Sequence, residues 1–124
     1  MFAMDSDLTI HITRGDIGVI NVSASSNDSS HIFKPNDIVR LKIFQKKNCN
    51  VVVLTKDVTV YREASSVDIN LFSDDTKIGE IINKPVDYWY EIELNPETYP
   101  QTIIGYDQKG PKIFRLYPEG GDNQ

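Results

Sequence analysis

From Leu8 to Tyr117 apolar residues recur two apart in short runs, and clusters of Gly, Pro, Asn, Asp and Ser break each run. Successive side chains of a strand point to opposite faces, so this period gives each run one apolar and one polar face. Helical spacing is nearly absent. The pattern predicts strands over Leu8–Thr13, Ile17–Ala24, Asp37–Gln45, Val51–Tyr61, Val67–Phe72, Val86–Leu94, Gln101–Tyr106 and Lys112–Tyr117. Roughly seven or eight short strands separated by turn clusters are the signature of a sandwich or a barrel.

The phases name an expected core. In Val86–Leu94 the residues Tyr88, Tyr90, Ile92 and Leu94 share one face, while Trp89, Glu91 and Glu93 share the other. Val39, Leu41 and Ile43 alternate with Arg40 and Lys42, and Val67, Ile69 and Leu71 with Asp68 and Asn70. Over Val51–Tyr61 the phase is ambiguous, because Val51 and Val53 are apolar beside the set Val52, Leu54, Val58 and Val60, and the segment reads as one long strand or two short ones around Lys56-Asp57. The polar stretch from Ser25 to Asp37 is expected to be a loop with its own apolar plug at Ile32 and Phe33. Asp107-Gln108-Lys109-Gly110-Pro111 suits a hairpin connection. Ser73 to Thr76 offers a helix N-cap or a turn, and at most one short helical turn is expected, near 74–79.

At 124 residues, 40% hydrophobic and 25% charged, the chain has the size and composition of one globular domain. Residues 1–118 are expected to form it, with 119–124 a flexible tail that has nothing to bury. A single cysteine, Cys49, excludes an intrachain disulfide and a thiolate metal cluster, so packing alone must hold the fold. The opening residues contain neither a signal-peptide pattern nor an apolar run able to span a membrane, which points to folding in a cytoplasm. The net charge of -5, with the cations scattered, argues against nucleic-acid binding, because phosphate affinity comes from clustered Lys and Arg.

No motif assembles a catalytic, cofactor or metal site. Arg14-Gly15-Asp16 spells an adhesion tripeptide, but Gly between two strands with Arg and Asp beside it is ordinary turn chemistry. The sequons at Asn21 and Asn27 matter only in a secreted chain. His11 and His31 lack the spacing of a metal pair. Asp68, Asp74, Asp75 and Glu80 lack the alternate-position pattern of a calcium loop, and adjacent acids at a strand end cap backbone amides. Cys49 has no neighbouring His to activate it, and there is no Gly-x-Ser-x-Gly elbow or phosphate-cradling glycine loop. The residues that retain a binding role are Trp89 with Glu91 and Glu93, on the phase that points away from the core.

Three stretches carry a resemblance. Thr9-Ile10-His11-Ile12-Thr13-Arg14-Gly15-Asp16, Val86-Asp87-Tyr88-Trp89-Tyr90-Glu91-Ile92-Glu93-Leu94 and Lys112-Ile113-Phe114-Arg115-Leu116-Tyr117-Pro118-Glu119-Gly120-Gly121-Asp122 resemble the small β-sandwich domain at the N-terminus of phage baseplate upper proteins and related tail proteins of phages infecting Gram-positive bacteria. In that family the Arg-Gly-Asp turn is structural. The resemblance implies an all-β, immunoglobulin-like antiparallel β-sandwich. It also implies a non-enzymatic structural protein of a phage or prophage virion, made in the host bacterial cytoplasm and built into a tail or baseplate. Its partners would be other phage structural proteins and copies of itself, with no cofactor, nucleic acid or membrane. Contacts are expected through Trp89, Glu91 and Glu93 and through the exposed edge beside the terminal strand. Longer relatives carry a fibre or receptor-binding region after such a domain, so this chain reads as a module of such a protein or as a virion accessory protein. A host-facing binder is the alternative, either of cell-wall carbohydrate through Tyr88, Trp89 and Tyr90 or of a host protein as a small acidic phage-encoded inhibitor.

Overall fold

The computed structural model describes residues 1–26, 29–48 and 50–120. Cys49, the sequon at Asn27 and the tail expected over 121–124 therefore lie outside the described residues. The strands are β1 (Phe2–Met4), β2 (Ile10–Thr13), β3 (Gly18–Val22), β4 (Ser25–Ser26), β5 (Ser29–Ser30), β6 (Ile38–Phe44), β7 (Val52–Thr59), β8 (Val67–Leu71), β9 (Val86–Leu94), β10 (Gln101–Ile104) and β11 (Lys112–Tyr117). One helical turn, α1 (Ser73–Thr76), follows β8.

The fold is an all-β sandwich. A seven-stranded sheet runs β1-β2-β11-β9-β6-β7, with β10 also on β9, and a two-stranded sheet, β3-β8, packs against it. The core lies where the alternation places it. Tyr88, Tyr90, Ile92 and Leu94 from β9 meet Val39, Leu41 and Ile43 from β6, Phe114 and Leu116 from β11, and Ile20, Val22, Val67, Ile69 and Leu71 from the opposite sheet, all buried. Burial pushes the Tyr90 hydroxyl well above the usual phenol range. Its O–H donates to the Leu8 carbonyl at 2.6 Å, which satisfies the polar end of a side chain otherwise surrounded by hydrocarbon.

Several expectations are corrected. The sheet is not wholly antiparallel, because β11 runs parallel to β2, with Phe114 opposite Ile10 and Tyr117 opposite Thr13. More than eight strands form, because β1, β4 and β5 are too short to show an alternation. Residues 107–111 do not connect a hairpin. β10 and β11 both pair with β9, at Glu93 and Tyr90 for example, and so form two parts of one lane. Val51–Tyr61 contains one strand, and its ambiguous phase has a physical cause. Ile43 lies opposite Leu54 but Phe44 lies opposite Val52, so Val53 is a bulge and the phase slips by one residue there. Of the expected plug, Phe33 is fully buried and bridged to Ala64, but Ile32 is exposed.

The Arg14-Gly15-Asp16 turn is tied into the fold. Gly15 has φ +86°, a region that favours glycine, and its N–H donates to the Thr76 hydroxyl at 2.9 Å. That hydroxyl donates in turn to the Asp16 carbonyl at 2.8 Å. Arg14 is buried, donating to the Gly79 carbonyl at 3.0 Å, and the Asp16 carboxylate pairs with the terminal amine of Met1. A tripeptide held this way is a structural turn.

Candidate functional site

β9 is the middle of the large sheet, and the phase that leaves the core puts Asp87, Trp89, Glu91 and Glu93 on its outer face. The three expected residues, Trp89, Glu91 and Glu93, therefore share one surface. Strand register adds partners. Trp89 lies opposite Phe44 on β6 and opposite Ile113 on β11, and Phe44 lies opposite Val52 on β7. Directly opposed residues put their side chains on the same face about 5 Å apart. The outcome is an apolar stripe, Val52–Phe44–Trp89–Ile113, across four strands.

This stripe is separate from the core. Phe44 is only 4% exposed yet does not belong to the buried cluster between the sheets, and neither Trp89, Ile113 nor Val52 packs against that cluster. Val52 is 47% exposed, and Trp89 and Ile113 are half-buried. Phe44, Ile113 and Val52 were not among the expected site residues. Their signal is an apolar residue in an otherwise polar phase, after Arg40 and Lys42 on β6 and before Arg115 on β11.

Charged pairs bound the stripe on both sides. Toward one end, Arg115 holds Asp87 in a forked pair at 2.6 and 3.2 Å. Beyond it His11 links the Tyr117 hydroxyl and the Asp5 carboxylate, each at 2.7 Å. Toward the other end, Arg40 holds Asp57 at 2.7 and 2.9 Å and reaches Glu97 at 3.1 Å, while Lys42 lies 3.4 Å from Glu93. Hydrogen bonding to Arg40 holds the Asp57 carboxyl below its usual range.

Glu91 differs from its neighbours. Burial, reinforced by the like charge of Glu93 and the hydrogen bond between the two carboxyls, raises its pKa, and Lys42 offsets this only in part. An acid with a raised folded-state pKa penalises the folded state when ionised, and the penalty disappears as the pH falls below the ordinary glutamate range. Glu91→Gln is therefore expected to raise the melting temperature at neutral pH, and the gain should fade as the pH is lowered through and below that range. Thermal melts of both proteins across pH 3–7 check this, and an unchanged difference at every pH would count against it.

The other candidates stay apart. Asp75 accepts the Phe72 N–H at 2.8 Å and pairs with Lys56 at 2.8 Å, so it closes the first turn of α1, and the N-cap position belongs to Phe72 instead of Ser73. Asp74 is exposed, and Asp68 accepts from Asn21 at 2.8 Å. α1 ends at Thr76, short of the expected 79. His31 follows β5, outside the large sheet that carries His11, and packs edge-on to Phe33 at 5.3 Å between ring centres. Among the described residues no three His, Cys, Asp or Glu side chains are placed to hold a metal ion. No helix among them is long and apolar enough to cross a membrane. Compared with family models, curated proteins and solved structures, the chain matches none.

Proposed function

We propose that the protein is a non-enzymatic binding module of a phage or prophage tail or baseplate, which docks on other virion proteins through the outer face of its large sheet. The observation that supports docking is the Val52–Phe44–Trp89–Ile113 stripe, an apolar band on a sheet face otherwise covered by ion pairs. Apolar area withdrawn from water drives association, and paired charges around it set register and exclude other partners. The aliphatic flanks, Val52 and Ile113, suit a protein surface better than a sugar, which favours the virion reading over cell-wall binding. The tail setting rests on the resemblance of the stretches around Thr9, Trp89 and Phe114.

Trp89 is the only tryptophan, so its fluorescence reports directly on this face. Titration with the tail proteins encoded beside this chain should shift that emission. Trp89→Ala, followed by calorimetry because the chromophore is lost, is expected to weaken the same association by about 30-fold or more, equivalent to about 2 kcal/mol for a central aromatic anchor. Equal affinity of wild type and Trp89→Ala would overturn the docking face. Absence of tail genes around the coding region would overturn the setting.

A further inference from the structure

We infer that Tyr117 is a nucleophilic acyl-acceptor site, whose hydroxyl takes the acyl group of an activated ester while His11 takes its proton and Asp5 positions His11. This does not rest on the docking reading. The edge expected to be exposed beside the terminal strand is in fact closed, since β2 pairs in parallel along β11 from Phe114 to Tyr117. That pairing builds the site. Ile10 and Ile12 of β2, with Phe114 and Leu116 of β11, enter the core, so the alternate residues His11, Arg115 and Tyr117 share the outer face. His11 lies opposite Arg115 and diagonal to Tyr117. Asp5 follows β1, and the turn that joins β1 to β2 carries it back to His11, with Leu8 N–H donating to Asp5 O and Asp5 N–H to Thr9 O, both at 2.9 Å.

His11 Nε2 lies 2.7 Å from Asp5 Oδ2, and His11 Nδ1 lies 2.7 Å from the Tyr117 hydroxyl. A carboxylate only accepts, so Nε2 carries the ring hydrogen. In a neutral imidazole the other nitrogen is then an acceptor, and the Tyr117 O–H donates to Nδ1. The order is that of a nucleophile, its base and an acid that orients the base. Arg115, held by Asp87 at 2.6 Å, also interacts with the Tyr117 hydroxyl, so a positive charge stands beside the oxygen where negative charge develops. Tyr117 is half-buried, and Ala3, opposite His11 on β1, is small and exposed, so a small acyl donor has access from solvent. In the reaction the Tyr117 oxygen bonds to the ester carbonyl carbon and its proton passes to His11 Nδ1. The bond from that carbon to the leaving oxygen breaks, the leaving group keeps the electron pair, and His11 releases the proton to water.

The molecule carries its own controls. Tyr61, Tyr99 and Tyr106 are 83%, 73% and 71% exposed, yet among the described residues none of them has a histidine partner. The probe is p-nitrophenyl acetate, and peptide mass spectrometry of the full chain reads the acetylation rate of each tyrosine. Tyr117 should acetylate about 100-fold faster than those three, the scale of one general base. His11→Asn should remove that lead. Asp5→Asn keeps the shape of the side chain but lets an amide hold the imidazole in the wrong tautomer, and it should reduce the lead about tenfold or more. In both variants the rates at Tyr61, Tyr99 and Tyr106 should stay at wild-type values, which separates loss of the base from loss of the fold. The Asp5 side chain is 56% exposed, so Asp5→Asn decides the matter where His11→Asn does not fold. Acetylation in order of exposure, no acetylated tyrosine at all, or a Tyr117 lead that survives either substitution would overturn the inference.

Discussion

Phe114→Ala is expected to lower the unfolding free energy by about 3–5 kcal/mol, and Ile113→Ala, one residue earlier, by about 1 kcal/mol. The contrast follows from the pleat. Phe114 is fully buried between the sheets, where its removal leaves a cavity that the surrounding Ile, Leu and Tyr side chains refill only in part. Ile113 points to the outer face and is half-exposed, so truncation loses some apolar contact without creating an internal void. Since a domain of this size is stable by about 5–15 kcal/mol, the first loss removes a large fraction of the total. Urea denaturation of both variants checks the pair, and equal losses would contradict the assignment of faces on β11.

Thr76→Val is expected to cost about 2–4 kcal/mol, although valine has nearly the shape of threonine. Thr76 is fully buried, and its hydroxyl serves two backbone groups of the Arg14-Gly15-Asp16 turn, accepting from Gly15 N–H and donating to Asp16 O. Valine would leave both groups without a partner in a buried setting, where each unmade bond costs about 1–3 kcal/mol. Thr76→Ser keeps the hydroxyl and loses one methyl, so its cost should stay near 1 kcal/mol. Denaturant curves that place Thr76→Val within about 0.5 kcal/mol of wild type would show that this hydroxyl does not hold the turn.

The two effects differ in how far they can be read from the sequence. That Phe114 is buried and Ile113 is not could be inferred from alternation in Lys112–Tyr117, and the same inference held for Tyr88, Tyr90, Ile92 and Leu94 against Trp89, Glu91 and Glu93. The pairing of Thr76 with Gly15 could not, because those residues are distant along the chain and neither carries a local pattern that names the other. The outer stripe is an intermediate case. Alternation alone puts Trp89 on the outward phase, but its neighbours Phe44, Ile113 and Val52 come from three other strands, and Val52 reaches its place through a bulge that shifts the phase of β7.

Period-two alternation was sufficient to establish an all-β chain and most of its buried residues, because the direction of a side chain on a strand depends only on its own backbone. Which strands lie side by side depends on residues far apart in the chain and on single-residue bulges, neither of which changes that local pattern. The tertiary structure therefore decided the parallel pairing of β2 with β11 and the shared lane of β10 and β11 along β9. It also decided the stripe around Trp89, the surface on which the proposed docking depends.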